Sequence, residues 1–211
     1  KGVSFEKKEK VVTEIGLLAG VSMSELKFVS ATAQFVYLSA ADYKKSVNFS
    51  GGFFLDAILT RNQGKWSLNN EIFLTSYKIK GRYDDYETEE KYTNHYLTIG
   101  YTYIKMNNMI RFKYPVGRQF VYINAGMSNG FAIKEINDRR RETKFYTTEK
   151  IEDIKVLDDT RIYEQGYILG LGTKVKKYSF EARFEKGNAM SEYRPLKGIS
   201  KRYYLLFGFR L

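Results

Sequence analysis

Ten charged side chains fall on the same alternating face of the segments that carry them, and they are the residues whose chemistry must be explained first. The acids are Glu14, Asp56, Glu71, Glu181 and Glu185, and the bases are Lys105, Arg111, Lys174, Arg183 and Arg210. Buried charges need partners of opposite sign. The pattern predicts a structural ion-pair network, with Glu71 and Arg111 each within reach of an opposite charge. A gated polar path or an acid–base pair of carboxylates is the alternative chemistry.

His95 is the only histidine and stands near the end of a predicted strand. A Ser–His site would need it, but a single loop histidine is far more often without a catalytic role. No GxSxG, HExxH or phosphate-cradling motif is present. The chain has no cysteine, so disulfides and thiolate metal sites are excluded. The sequence therefore predicts no catalytic residue, no metal site and no cofactor.

Eight segments with period-two alternation must position these charges, since alternation of apolar and mixed residues is typical of β-strands. They cover residues 13–24, 51–61, 66–78, 96–114, 119–133, 161–174, 178–186 and 200–211. In the last of them, Tyr203, Leu205 and Phe207 share an apolar face, whereas Tyr204 and Arg210 belong to the mixed face. Short turns at 62–65, 115–118 and 175–177 alternate with longer connections at 25–48, 79–95, 135–160 and 187–199.

These features predict an all-β fold, a single eight-stranded antiparallel up-and-down transmembrane barrel with short periplasmic turns and long extracellular loops. Residues 12–211 form the barrel domain, and residues 1–11 form a periplasmic lead-in. No run of about 18 apolar residues occurs, which excludes a transmembrane helix. The first residue is Lys1 rather than Met, and we expect a processed chain whose export signal has been removed.

Aromatic and basic residues near the predicted strand ends indicate membrane interfaces. Trp66, Phe207 and Phe209 are predicted interface anchors. A periplasmic basic rim is predicted from Arg61, Lys65, Lys113, Arg118, Lys176 and Lys177. Such a rim suits anionic head groups or an acidic partner. The expected partners are therefore outer-membrane lipids and lipopolysaccharide, together with other outer-membrane or periplasmic proteins.

The net charge of +11 does not indicate nucleic-acid binding. The triplet Arg139-Arg140-Arg141 is the most basic run, but residues 135–160 hold six basic and eight acidic residues. We therefore expect this segment to be a solvated loop.

The order of several motifs resembles the small outer-membrane β-barrel proteins called PorT-like. The motifs are GLLAGVSMS at 16–24, GGFFLDAIL at 51–59, WSLNNEIFLTSYKIKG at 66–81, YIKMNNMIRFKY at 103–114, VYINAGMSNGF at 121–131, GYILGLGTK at 166–174 and FEARFEKG at 180–187. The family usually has a proline where this chain has Asn107. The resemblance implies a bacterial outer-membrane barrel, in a family whose functions are diverse and include protein secretion.

The functional prediction is a structural or accessory role in the bacterial outer membrane, with both termini periplasmic. The protein would act as an interaction module or as a subunit of a larger complex for secretion, assembly or uptake. Two alternatives stay open. One is an outer-membrane lipid-modifying enzyme. The other is a soluble lipocalin-like ligand-binding barrel, for which Gly64-Lys65-Trp66 supplies a G-x-W motif.

Overall fold

The computed structural model describes residues 11–30, 32–88 and 90–211. Their elements, in chain order, are β1 (Val12–Ser30), a 3-10 helix (Ala33–Phe35), α1 (Val36–Ser39), β2 (Asp42–Tyr43), β3 (Ser46–Leu59), a second 3-10 segment (Arg61–Gly64), β4 (Trp66–Tyr86), β5 (Lys91–Val116), β6 (Gln119–Phe145), β7 (Thr148–Lys155), β8 (Tyr163–Val175), β9 (Tyr178–Asn188) and β10 (Leu196–Arg210). The predicted lead-in at 1–11 lies outside the described residues, apart from Val11.

Eight of these strands form a closed antiparallel ring in the order β1, β3, β4, β5, β6, β8, β9 and β10. The last strand pairs with the first, from Gly16 opposite Arg210 to Ser30 opposite Leu196. Closure gives the strands of the ring no free edge, which an open sheet would leave unpaired. The predicted eight-stranded antiparallel barrel is thereby confirmed. The remaining strands, β2 and β7, pair with β4 and β6 outside the ring.

The outer surface carries a continuous apolar belt, which includes side chains from all eight strands of the ring. Its members are Ile15, Leu17, Val21, Phe53, Leu55, Leu68, Ile72, Leu74, Ile104, Met106, Ile110, Val121, Ile123, Met127, Tyr167, Leu169, Leu171, Phe180, Leu205 and Phe207, and all are exposed. On β4 the belt runs from Leu68 to Leu74, and Trp66 continues it to the strand end. Side chains alternate between the two faces of a strand, so the intervening residues face the interior.

The interior differs between the two ends of the barrel. Toward the short turns it is largely polar and charged, with a small apolar cluster of Leu18, Phe54, Phe73, Tyr204 and Leu206. Toward the long connections it is apolar, with a core that includes Phe28, Ile79, Leu97 and Ile99. Leu38 of α1 is fully buried in this core, so the segment after β1 closes the long-connection end of the barrel. Within the described parts of the chain, no helix is long and apolar enough to cross a membrane.

Two segments expected to be loops are instead mostly strands. The connection at 79–95 is the end of a long β4–β5 hairpin, in which pairing continues to Tyr86 and Tyr92. The segment 135–160 contains the end of β6 and the whole of β7, paired from Asp138–Lys155 to Phe145–Thr148. Both regions are charged on their exposed face and therefore lack the apolar alternation by which strands were recognised. The short turns, by contrast, lie where they were predicted.

Candidate functional site

At the short-turn end, acids from β1 and β3 meet bases from several other strands. Glu14 accepts hydrogen bonds from Lys174 Nζ and from Arg210 Nη1, the latter at 2.6 Å. Asp56 lies within 3.3 Å of Lys113 Nζ and is almost fully buried. The side chains of β3 and β5 that meet here come from strands separated by β4, so this contact spans the barrel interior.

The middle of the barrel is crossed by a chain of charges. Arg111 Nη1 lies 3.4 Å from Asp56, and Arg111 Nη2 lies 3.7 Å from Glu181. Arg183 donates from Nε to Glu181 at 2.7 Å and from both terminal nitrogens to Glu71. All five residues are buried. The geometry links β3, β5, β9 and β4 through alternating positive and negative groups.

A second cluster lies nearer the apolar core. Lys105 Nζ is paired with Glu185, and Arg202 Nη1 lies 2.5 Å from Glu164 and 3.3 Å from Glu185. The Tyr204 hydroxyl donates to Glu185 at 2.7 Å. Each acid therefore has at least one base within ion-pairing distance, as a low-dielectric interior requires.

The structure places all ten predicted charged residues on the inward face and adds three that the sequence analysis missed. Seven of the ten are buried, whereas Glu14, Lys174 and Arg210 are partly exposed at the short-turn end. Glu164 and Arg202 share the parity of their inward neighbours Gly166 and Tyr204, a signal that could have revealed them. Lys113 was assigned to the basic rim, but it is buried and paired with Asp56. Lys113 stands two residues after Arg111 on β5, and because side chains alternate along a strand the two face the same side.

Glu71 and Arg111 face the same interior but belong to different contacts. Glu71 is held by Arg183 and by Asn107 Nδ2 at 2.9 Å. Arg111 is held by Asp56, by Glu181 and by Asn124 Oδ1, the last at 2.7 Å. Among the contacts of the described residues, the two side chains are linked through Arg183 and Glu181.

The other predicted residues lie at the short-turn end of the barrel. Arg61, Arg118, Lys176 and Lys177 are exposed, and Lys65 is partly exposed. Trp66 is exposed and packs on Phe112 with ring centroids 4.8 Å apart. Phe207 and Phe209 both pack against Tyr178, at 5.8 and 5.5 Å. Aromatic and cationic side chains thus share this end of the outer surface.

His95 lies at the opposite end, beyond the apolar core, and is buried. Its Nδ1 accepts hydrogen bonds from Arg139 Nε at 3.1 Å and from Arg139 Nη2 at 2.9 Å. Burial and the neighbouring Arg139 lower the pKa of His95 to about 4. Among the residues that the structure describes, no serine hydroxyl bonds to the imidazole. Nor does any group of three potential metal ligands occur among them.

No family model matches the chain, and no curated protein sequence matches it. Among solved structures, it is similar to Ail, the attachment invasion locus protein of Yersinia pestis, at 11% identity over 94% of this chain and 98% of that chain, with a TM-score of 0.35. Neisserial surface protein A is similar at 10% identity over 92% and 97%, with a TM-score of 0.40. The outer membrane protein OprG from Pseudomonas aeruginosa is similar at 8% identity over 95% and 97%, with a TM-score of 0.44. The barrel assignment rests on the strand pairing of the chain itself, and the PorT-like resemblance stays a prediction.

Proposed function

We propose that this protein is an integral β-barrel of a bacterial outer membrane, with its termini and short turns in the periplasm. The apolar belt is the observation that carries the proposal. Leu, Ile and Phe side chains exposed on every strand of the ring would be unfavourable in water, whereas lipid removes that cost. A closed ring also satisfies the backbone hydrogen bonds that a bilayer cannot satisfy.

The dimensions of the belt agree with this proposal. From Trp66 to Leu74 there are eight steps of about 3.4 Å, and a strand tilt of about 40° gives a height of roughly 20 Å. Barrels of the outer membrane carry an apolar band about 25 Å tall. Trp66, Phe207 and Phe209 would lie at the periplasmic interface, beside the exposed basic residues of the short turns, which would face anionic head groups.

Cysteine labelling tests the topology, and the absence of native cysteine from the 211 residues makes single-cysteine variants clean probes. Asn62→Cys and Lys176→Cys lie in short turns, whereas Thr147→Cys lies in the β6–β7 turn. An impermeant maleimide applied to intact cells should label Thr147→Cys, and it should label the two turn variants only after the outer membrane is opened. The reverse pattern would overturn the orientation. Recovery of the folded protein from the soluble fraction would favour the lipocalin-like alternative instead.

We further propose a structural or accessory role, as an interaction module or a subunit of a larger outer-membrane complex for secretion, assembly or uptake. Two features support this role. The ion pairs occupy the barrel interior, and the β4–β5 and β6–β7 hairpins extend a paired surface well beyond the belt. This proposal assigns the protein no catalysis and no cofactor. The partners would be outer-membrane lipids, lipopolysaccharide and neighbouring envelope proteins.

Affinity purification tests the subunit role. A tagged chain extracted from outer membranes in mild detergent should migrate as a complex and retain specific proteins in fixed proportion. A matched variant lacking residues 139–154, which form the end of the β6–β7 hairpin, should lose partners that contact this hairpin. Migration of the parent protein as a lone barrel in several mild detergents would overturn the subunit role. That outcome would not bear on the membrane assignment, which the labelling experiment tests separately.

A further inference from the structure

A β-bulge in β6 rearranges the long-connection end of the barrel. Tyr103 pairs with Ala132 and Thr102 pairs with Lys134, so Ile133 has no partner in the register. One extra residue reverses the parity of everything that follows it on the strand. Arg139 and Arg141 therefore face the same side as His95, rather than the solvent-exposed side that an uninterrupted strand would give them.

The imidazole of His95 stacks against two tyrosine rings. Tyr37 from α1 lies on one side at a centroid distance of 5.7 Å, and Tyr83 from β4 stacks at 5.8 Å, with interplanar angles of 28° and 24°. The guanidinium of Arg139 lies 3.7 Å from the centroid of the Tyr37 ring. The Tyr37 hydroxyl donates to the backbone oxygen of Val156 at 2.7 Å, which fixes the ring. The ring of His95 is therefore held rigidly before any ligand arrives.

The hydrogen bonds determine which nitrogen of His95 carries its proton. Arginine has donors but no acceptor, so Nδ1 must accept from Arg139. In a neutral imidazole the proton then sits on Nε2. Both hydrogen bonds that His95 makes with described residues are at Nδ1, and 5% of the residue surface is exposed. Nε2 is thus left as a donor for a ligand at the lining of a pocket.

This pocket has a volume of about 570 Å³ and is open on one side. Its lining includes three cations, Lys91, Arg139 and Arg141. Lys91 is paired with Glu87 at 2.5 Å, and Arg141 is paired with Glu152 through Nε at 2.9 Å.

Two charges in the lining have no ion-pair partner within the described part of the chain. They are Arg139, which is half-buried, and Asp85. The hydroxyl groups of Thr93 and Thr143 lie 3.3 Å apart on the same wall. The pocket therefore offers one cation for an anion, one carboxylate that can accept from hydroxyl groups, and several neutral donors. An anion without hydroxyl groups would bind the cation but would be repelled by the carboxylate.

We propose that this pocket binds an acidic sugar, or a polyhydroxylated carboxylic acid of similar size, with its carboxylate on Arg139, one hydroxyl group on His95 Nε2 and another on Asp85. Charge-assisted hydrogen bonds from arginine to a carboxylate are among the stronger polar contacts in proteins. Tyr37 and Tyr83 line the pocket beside these polar groups, and the lining as a whole is mostly polar, which suits a ligand with several hydroxyl groups.

The position of the pocket distinguishes this ligand from a phospholipid head group, a step that rests on the proposed membrane function. His95 lies nine residues beyond Ile104 of the belt, which is about 30 Å along the strand and roughly 20 Å in height at a tilt of about 40°. The head-group layer is only about 5–8 Å thick on each side. The ligand would therefore be a soluble molecule or part of a surface polysaccharide. Binding by the purified protein does not depend on this step.

Nuclear magnetic resonance of the full chain in detergent micelles provides a direct test, because the only histidine gives one set of imidazole resonances. D-glucuronate at pH 7 should shift the His95 ring signals saturably with one-to-one stoichiometry. D-glucose, acetate and inorganic phosphate, titrated separately, should each bind at least 10-fold more weakly. Absence of a saturable shift with glucuronate would overturn the proposal, whatever the outcome of the membrane-topology experiment. Phosphate binding as tightly as glucuronate would overturn the sugar assignment.

Three variants sharpen this test. Arg139→Met should weaken glucuronate binding at least 10-fold, and Asp85→Asn should weaken glucuronate binding several-fold without weakening acetate. Arg140→Met is the matched control, since Arg140 pairs with Glu142 and lies outside the pocket lining, and it should bind as the parent does. Asp85→Asn removes no recorded structural contact, so its result stands even if Arg139→Met disturbs the stack. Equal affinities for the parent, Arg139→Met and Asp85→Asn would overturn the assigned contacts.

Discussion

Arg183 and Glu71 form a two-pronged ion pair across the full width of the barrel. Arg183 Nη1 donates to Glu71 Oε2 and Nη2 donates to Oε1, both at 2.7 Å. Their strands, β9 and β4, stand four places apart in a ring of eight and so lie on opposite walls. Both side chains are buried. This single contact joins the two halves of the barrel and obstructs the space between them.

We expect removal of either partner to destabilise the barrel strongly. Arg183→Met alone leaves the buried carboxylate of Glu71 without a cation, and Glu71→Gln alone removes the main partner of Arg183. Each single change should cost about 3–5 kcal/mol of stability. The double variant should cost less than the sum of the two single variants, because neither charge is then left without the other. Urea unfolding in detergent, followed by tyrosine fluorescence and heat-modifiable gel mobility, measures these free energies.

A surface ion pair provides the control for that cycle. Lys45 Nζ lies 2.7 Å from Glu25, but the Lys45 side chain is 61% exposed. Lys45→Met should change stability by less than about 1 kcal/mol, since exposed pairs contribute little. Glu71→Gln combined with Arg111→Met should be closer to additive than the Glu71–Arg183 pair, because those two residues share no direct contact. Equal stabilities of all the buried single variants and the parent would contradict the interior ion pairs.

The interior contacts predict that the barrel does not conduct. Eight strands enclose only enough space for side chains, and Arg111, Arg183 and Lys105 cross that space to reach acids on non-adjacent strands. Protein reconstituted in a planar bilayer should therefore show no steady single-channel current at moderate voltage. A general porin tested in the same bilayer is the positive control. Stable steps of large conductance would contradict the closed interior.

The glycine at position 170 predicts a steric effect on the network. A Cβ built at Gly170 would lie 2.5 Å from Glu181 Oε1, well inside contact distance. Gly170→Val should displace this carboxylate from Arg183 and Arg111, and we expect a loss of about 2–4 kcal/mol from overpacking and broken ion pairs. Gly117→Ala is a useful comparison, because a Cβ there meets nothing within 4 Å and only its positive φ of 59° is strained. A smaller loss for Gly170→Val than for Gly117→Ala would contradict the packing described here.

The protonation of His95 predicts a pH dependence at the long-connection end. Burial, Arg139 and Arg141 lower its pKa to about 4, whereas Asp84 and Asp85 act in the opposite direction. A base whose pKa is lowered on folding stabilises the fold fully above its ordinary value of about 6.5, and that contribution is lost as the pH falls toward 4. The protection of the β4–β5 hairpin amides against hydrogen exchange, corrected for the intrinsic pH dependence of exchange, should therefore fall between pH 6.5 and 4.

The imidazole resonance should titrate with a midpoint near 4 in the parent and nearer 6.5 in Arg139→Met, which removes one of the causes. His95→Phe keeps an aromatic ring beside Tyr37 and Tyr83 but removes the titratable group, and it should abolish the loss of protection at low pH. A parent midpoint near 6.5 would contradict the buried, neutral imidazole.

The amino-acid sequence by itself determined the strands and their faces, since alternation is a local property of an extended chain. Inward placement of Glu71, Arg111 and Arg183 follows from it, as does the outward belt. The same parity extends to Glu164 and Arg202, which could have been assigned inward from their neighbours. The charged strand ends at 79–95 and 135–160 lacked this signal because they extend beyond the apolar belt, where polar residues are tolerated on the outer face.

Only the tertiary structure decided which charges meet. Glu71 pairs with Arg183, which follows it by 112 positions in the chain, because closure of the ring places β4 and β9 on opposite walls with their side chains pointing at each other. The bulge at Ile133 likewise depends on how β6 pairs with β5, and one unpaired residue moves Arg139 next to His95. Local periodicity fixes the direction of a side chain relative to its own strand, whereas distances across a closed barrel depend on the register of every strand between them.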